Sequence, residues 1–314
     1  MSILITGAEG FVGRNLAEYL SNKKYSVLLP TQDELDLTNS EHVDKYFSIN
    51  NDIETIIHCA TVLRQGTSYP VNTCEKNLRM FFNLQKQMTP SRKMINLGSG
   101  SEYNRKYWSR KMPEKYFNTH IPVDSHSYAK YLISKYIIDM KFDNIICLRI
   151  FGIFGKYEDY RYKFISNAIV KNLLKMPIII NKNVIYDYIF IADFLQIIEF
   201  FVNNKTRNIV FNTTPVVSID LLTIANLINS VSVHKSEIHV LNKGIGVEYS
   251  GDNRNLLAEI GNFQFTAYDT AIADLYKYYK ERINSLDANA VKQDAYLDYA
   301  KTLNKNYFRK HHEK

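Results

Sequence analysis

An apolar run that meets a glycine at residue 7 constrains this chain more than anything else in it. The segment Ile3-Leu4-Ile5-Thr6-Gly7-Ala8-Glu9-Gly10-Phe11-Val12-Gly13 spaces three glycines by three residues between a strand-like stretch and an amphipathic helix. Gly7 permits a tight turn, Gly10 lets the backbone approach a ligand closely, and Gly13 lets the helix lie against the strand. The free amides and positive dipole end of that helix suit a pyrophosphate. A structural turn alone is the competing reading, and the position directly behind the first strand argues against it.

The rest of the chain repeats the strand-then-helix rhythm. Runs rich in Ile, Val and Leu predict strands at 2–6, 25–29, 53–58, 93–97, 144–148 and 208–211, with helices near 11–22, 40–49, 71–88, 126–142 and 191–203. That alternation implies a doubly wound parallel sheet of the α/β class. After Ile150 the rhythm changes to a helix at 162–175, a short strand at 177–180 and helices near 218–230 and 268–284. We expect a dinucleotide-binding domain over 1–155, rejoined by 185–215, and a smaller C-terminal α/β substrate lobe from 156–184 and 216–284. Residues 285–314 read as a C-terminal helix and charged tail.

Charge and composition narrow the function. The net charge is +7, but 39 basic residues are interleaved with 32 acidic ones, which describes a solvated surface. Arg105-Lys106-Tyr107-Trp108-Ser109-Arg110-Lys111 mixes cations with aromatics, yet it stands alone, and no nucleic-acid partner is expected. Cys59, Cys74 and Cys147 have no metal-ligand spacing and read as reduced thiols; His311-His312 sits in the tail, and no metal site is expected. The longest apolar stretch, 184–202, contains Asp187, Asp193, Gln196 and Glu199, which argues against a membrane span. Gly7 interrupts the N-terminal apolar run before a signal-type core could form, so the expected location is cytoplasmic.

The second strand ends Val27-Leu28-Leu29-Pro30-Thr31, with neither a carboxylate for a ribose nor an arginine for a 2'-phosphate. Glu9 would repel such a phosphate, so NAD(H) is favoured over NADP(H). Asp36 is placed to accept a hydrogen bond from the adenine amine. Its alternative role as a helix cap is weakened by Thr38, Asn39 and Ser40, which serve that purpose.

Hydride exchange with a carbonyl needs a proton relay, which a tyrosine with a lysine one helical turn later can supply. An ammonium nearby lowers the phenol pKa. The string Tyr-x-x-x-Lys begins at Tyr19, Tyr107, Tyr131 and Tyr276. Only Tyr131 with Lys135 falls on the helix between the strands 93–97 and 144–148, so this pair is expected to be catalytic; Tyr128 is followed four residues on by Leu132. A hydroxyl to orient the carbonyl is expected from Ser99, with Ser101 in reserve.

Taken together these residues resemble the extended short-chain dehydrogenase/reductase family of nucleotide-sugar epimerases, dehydratases and reductases, with a Rossmann fold. The resemblance runs from Ser2 to about Lys280. It rests on the glycine loop, Asp36-Leu37, Ile56-Ile57-His58-Cys59-Ala60, Asn77, Ser99 four residues before Tyr103, Tyr131 with Lys135, Leu148-Arg149-Ile150-Phe151-Gly152-Ile153-Phe154-Gly155 and Tyr186-Asp187-Tyr188-Ile189-Phe190-Ile191-Ala192-Asp193. The path from the second strand looks most like the GDP-L-fucose synthases and dTDP-4-dehydrorhamnose reductases of that family.

The resemblance implies cofactor contacts at Gly7, Gly10, Phe11, Val12, Asp36, Leu37, Cys59, Ala60, Asn77, Leu97, Tyr131, Lys135, Phe151 and Ile153. It also implies a nucleoside-diphosphate sugar as substrate, a role in glycan precursor synthesis and a homodimer. Arg64, Ser101 and Lys163 are the candidate substrate contacts. Gly100 and Ser101 stand where 4,6-dehydratases carry an Asp-Glu pair, which leaves water elimination without a catalyst. Tyr162-Lys163-Phe164 stands where the fucose synthases carry an epimerising histidine. A simple reductase is therefore expected; a nucleotide-sugar epimerase with tightly bound NAD is the alternative, and a non-catalytic dinucleotide-binding module, which the retained Ser99, Tyr131 and Lys135 argue against, is the third reading.

Overall fold

The computed structural model describes residues 2–66 and 68–308, the last six of these by backbone alone. In chain order the main strands are β1 Ser2–Thr6, β2 Ser26–Leu28, β3 Ile53–His58, β4 Lys93–Ser99 and β5 Ile145–Ile150. There follow β6 Gly152–Phe154, β7 Ile178–Asn183, β8 Ile185–Tyr186, β9 Tyr188–Phe190, β10 Val210–Thr213, β11 Ile219–Asp220 and β12 Ile238–Ile245. The helices are α1 Phe11–Asn22, α2 Ser40–Ile49, α3 Thr73–Gln85, α4 Ser125–Asp139, α5 Phe164–Leu173, α6 Ile191–Asn203, α7 Leu221–Val231, α8 Arg254–Ile260, α9 Tyr268–Lys280, α10 Ala288–Lys292 and α11 Ala295–Phe308.

Six strands form one parallel sheet in the order β10-β5-β4-β3-β1-β2, the Rossmann-type architecture that the alternating pattern implied. Apart from the edge strand β2, the strands are buried along most of their length, as both faces are covered by helices. One face packs Leu16 and Leu20 of α1 with Phe194, Ile197, Ile198 and Phe201 of α6. The other packs Val43 and Phe47 of α2, Phe81 and Leu84 of α3, and Ile133 and Ile137 of α4. The chain goes outward from β1 to β2 and then crosses to β3 on the far side. A crevice therefore opens at the carboxyl ends of β1 and β3, where doubly wound sheets bind ligands.

A separate apolar core gathers α5, α7 and α9 with Ile178 and Ile180 of β7. It is joined to the sheet through the parallel pair β6–β9 and carries the parallel pair β7–β12. The hydrophobic pattern missed β12, because nearly all of its residues are exposed and it has no apolar face to show a period of two. It also missed the run of short 3-10 turns between Gly100 and Tyr116, whose backbone is shaped by capping and tertiary contacts. His311-His312 and the end of the charged tail lie outside the described residues.

An ion pair lies inside this fold. Arg149 Nε donates to Glu102 Oε2 at 2.6 Å with both side chains buried, and an Arg149 guanidinium nitrogen donates to the Tyr103 hydroxyl at 3.1 Å. Removing one partner strands the other charge in a low-dielectric interior, which typically costs about 3–5 kcal/mol. Glu102→Ala should therefore lower stability by about that amount in urea denaturation.

Candidate functional site

The glycine loop is built as its spacing implied. Gly7 has φ +67°, and a Cβ there would stand 2.8 Å from the Ala60 backbone, so the turn after β1 abuts the turn after β3. A Cβ on Gly13 would strike the Gly7 carbonyl, which is why α1 can start so close to the strand. Gly10 caps α1 with no side-chain bond to the first helical amides, leaving them directed at the crevice.

From this loop a cavity of about 1830 Å³ runs across the sheet edge to the second lobe. Its walls include Gly7, Gly10, Phe11, Val12, Asp36, Leu37, Cys59, Ala60, Leu97, Ser99, Phe151 and Ile153 among the expected contacts, together with Arg64 and Lys163. A pocket for one drug-sized ligand is about 300–1,000 Å³, so this space suits two. Asp36 spends one carboxylate oxygen on the Thr38 amide and hydroxyl, at 2.9 and 2.8 Å. Burial pushes the Cys59 thiol up to about 12, so it is a neutral wall group and no nucleophile.

Two expected contacts stand behind the wall. Asn77 Oδ1 accepts from the Thr61 hydroxyl and the Val62 amide, at 3.1 and 3.0 Å, and so shapes the loop instead of lining it. Ser101 is buried, with its Oγ 2.9 Å from that of Ser99.

Ser99 itself is held by a reciprocal cap. Its Oγ accepts from the Ser101 amide, while its own amide donates to Glu102 Oε1 at 2.8 Å. The string Ser99-Gly100-Ser101-Glu102 carries that signature and could have been read from the sequence. Since Glu102 also holds Arg149, the serine rests on a buried charged network. Gly100 has no room for a side chain: its Cβ would lie 2.7 Å from both the Tyr249 hydroxyl and the Phe151 ring. An acid of the dehydratase kind could not be accommodated at this position without displacing those rings.

The structure places the expected tyrosine and lysine off the cavity wall. Tyr131 is buried away from the cavity, its hydroxyl bonded to Asn118 Oδ1 and its ring 5.3 Å from that of Phe117. Lys135 is half-exposed and paired with Asp139 at 2.7 Å, one turn along the same helix. The residues of α4 that reach the cavity are His126 and Lys130. Successive helical residues are turned by about 100°, so Tyr131 points to a different side from Lys130. The α4 N-terminus, capped by Asp124 Oδ1 on the Ser127 amide at 2.9 Å, lies at the carboxyl edge of the sheet, and each further turn moves about 5.4 Å away from it. Position within the helix was therefore the usable signal; the tyrosine string was not, because a histidine occupies the site one turn before the cavity lysine.

Lys130 is buried and its Nζ donates to the Leu97 carbonyl at 2.7 Å. Burial holds its pKa below the ordinary lysine value. His126 stacks on Tyr69 with centroids 4.6 Å apart and planes within 3°, and its Nδ1 is buried with no hydrogen-bond partner. Burial, helped by the Lys130 charge, holds the imidazole down to about 3, so the ring is neutral at ordinary pH. Toward the second lobe, Arg64 lies 3.4 Å over the Tyr299 ring, and Arg105 and Lys163 also line the cavity. Burial acts to raise the Tyr299 phenol, but Arg105, Arg64 and Lys163 outweigh it and hold the pKa below the ordinary value.

With this geometry established, comparison with known proteins is informative. The family model described as "NAD dependent epimerase/dehydratase family" matches residues 3–213, two-thirds of the chain. The chain belongs to this family. A GDP-6-deoxy-D-talose 4-dehydrogenase of Aggregatibacter actinomycetemcomitans is 26% identical over 295 residues, covering 88% of this chain and 97% of that protein. A GDP-L-colitose synthase of Yersinia pseudotuberculosis is 33% identical over 108 residues; that match covers 33% of this chain and spans 35% of the relative. Among solved structures, a UDP-glucose 4-epimerase of Thermotoga maritima superposes with TM-score 0.77 at 17% identity, covering 90% of this chain and all of that one. A GDP-L-fucose synthetase of Naegleria fowleri superposes with TM-score 0.76 at 13% identity, covering 90% and 94%. At such identities the likeness establishes the fold.

Two outcomes follow from the corrected site. Lys130→Met should weaken nicotinamide dinucleotide binding by about tenfold to a hundredfold, the range expected for one lost charge-assisted hydrogen bond, whereas Lys135→Met should leave it within about twofold in calorimetric titration. The imidazole of His126, lowered from the ordinary value, stays neutral wherever pH exceeds its pKa. Its ring NMR shifts should be flat from about pH 8 to about pH 5, where an ordinary histidine titrates near about 6.5.

Proposed function

We propose that the protein reduces a keto or aldehyde group on a nucleoside-diphosphate sugar, using NADH or NADPH. The observation that carries this reading is the cavity running from the glycine loop to the cations Arg64, Arg105 and Lys163, with Ser99, His126 and Lys130 also on its walls.

The residues present fit a dinucleotide. The glycine turn leaves space that a Cβ would fill, and the open α1 terminus offers its amides to a pyrophosphate. Asp36 and Leu37 would flank the adenine, Lys130 would hold the nicotinamide ribose, and Leu97, Phe151 and Ile153 would frame the reactive ring. Thr31 holds the carboxylate of Glu34 at 2.8 Å through its amide, which disfavours an added 2'-phosphate and keeps NAD(H) the preferred form. When bound in its reduced form, the cofactor supplies a hydride.

The substrate end is marked by Arg64, Arg105 and Lys163 around Tyr299, a charge arrangement suited to a diphosphate. Ser99 would bond the carbonyl oxygen. The relatives named above include enzymes of GDP-sugars, which makes a GDP-linked keto sugar the first candidate. Reduction without dehydration is favoured by the wall itself. Gly100 and the buried Ser101 stand where an acid–base pair would be needed, and Cys59 is a neutral thiol on the far side, beside the glycine loop.

Incubation of the purified protein with NADH or NADPH and a panel of 4-keto nucleotide sugars tests the reading. Net loss of reduced-nicotinamide absorbance with formation of one alcohol is the expected result. Exchange between sugar isomers with no net oxidation would point instead to an epimerase with retained NAD.

A further inference from the structure

A reductase of this kind must deliver a proton to the carbonyl oxygen as hydride reaches carbon, and α4 offers no phenol to the cavity. Tyr128 is exposed, Tyr131 is engaged with Asn118, and neither is part of the wall. The side chain one helical turn before Lys130 and on its face is His126. Its ring is held flat against Tyr69, from the loop after β3, and Nδ1 is enclosed without a partner. A buried donor or acceptor left unmatched in the protein is a site that expects a polar atom from elsewhere.

We propose that His126 is the proton donor of the reduction, its imidazole N–H serving the substrate oxygen in the place where a phenol was expected. The proposal rests on the reductase reading given above. The hydride pair becomes the new carbon–hydrogen bond, and the carbonyl π pair moves onto oxygen. That oxygen takes the imidazole proton, which water restores to the same ring nitrogen, so each turnover consumes one hydride and one water-derived proton. The ring acts from its neutral form, which burial and the Lys130 charge maintain, and a neutral imidazole polarising a carbonyl is an established enzymatic device. Ser99, pinned by Glu102, supplies the second hydrogen bond to the same oxygen.

The main rival for the role is Tyr249, which also lines the cavity and whose hydroxyl lies over Gly100, with its ring stacked on Trp108 at 3.5 Å. It comes from the second lobe and is not on the lysine-bearing helix.

The test compares His126→Phe, His126→Tyr and Tyr249→Phe with the parent protein for kcat, cofactor Kd and melting temperature. Phenylalanine keeps the stack on Tyr69 but has no nitrogen. His126→Phe is expected to lose about a hundredfold or more in kcat, with cofactor Kd and melting temperature unchanged. His126→Tyr, which restores a phenol one turn before Lys130, is expected to recover at least about tenfold over the phenylalanine variant. Tyr249→Phe should retain most of the turnover. The proposal is overturned if His126→Phe keeps kcat within about threefold, if it loses cofactor binding or melts early, if His126→Tyr recovers nothing, or if Tyr249→Phe is the variant that fails. Failure of the underlying reading has a different signature: the parent protein binds cofactor but reduces no member of the sugar panel, which overturns both.

Discussion

Everything at the centre of this protein hangs from the buried pair of Glu102 and Arg149. A carboxylate and a guanidinium at 2.6 Å inside a hydrophobic sheet edge are stable only when their remaining bonds are also met. Glu102 meets one by accepting from the Ser99 amide, and Arg149 meets one on Tyr103, whose hydroxyl donates in turn to Asn212 on β10. The strands β4, β5 and β10 are thereby tied together at their carboxyl ends. Ser99, on the cavity wall, takes its position from its own capped turn and, through Glu102, from that network, which makes it a rigid group in a region built largely of short turns.

The second organising contact is the reach of Lys130 to the Leu97 carbonyl. It fixes α4 against β4 with its first two turns at the crevice, and so decides which side chains of the helix meet a ligand. Helical geometry is unforgiving here. One residue along, Tyr131 turns under the segment that carries Phe117 and Asn118; five residues along, Lys135 turns out to Asp139 and solvent. A helix with several tyrosines and lysines thus presents a histidine and one buried lysine to the cavity.

The end of the cavity remote from the glycine loop is lined by charge drawn from several segments. Asp187 is buried and accepts from Lys111, Ser218 and the Gly251 amide, which draws three distant segments together beside Tyr249. Above them, Arg64 from the β3 loop, Arg105 from the turns after β4 and Lys163 before α5 converge on Tyr299 of the C-terminal helix. No two of these cations are neighbours in the chain. Their convergence gives the end of the cavity remote from the glycine loop its positive charge.

Several features were legible in the residues themselves. The glycine spacing, the buried parallel strands and the boundaries of α1, α2 and α6 follow from local rules: φ above zero needs glycine, covered strands need continuous apolar runs, and helices need period and caps. Ser99, Arg64 and Lys163 were also found on the wall where their motifs pointed. The choice among four Tyr-x-x-x-Lys strings was not legible, because a string records spacing along a helix but not the rotation of that helix or its depth against the sheet. Nor could spacing reveal that Asn77 and Ser101 stand behind the wall, or that Arg105 comes to face Tyr299. Those outcomes depend on contacts between segments tens to hundreds of residues apart, which only the folded chain brings together.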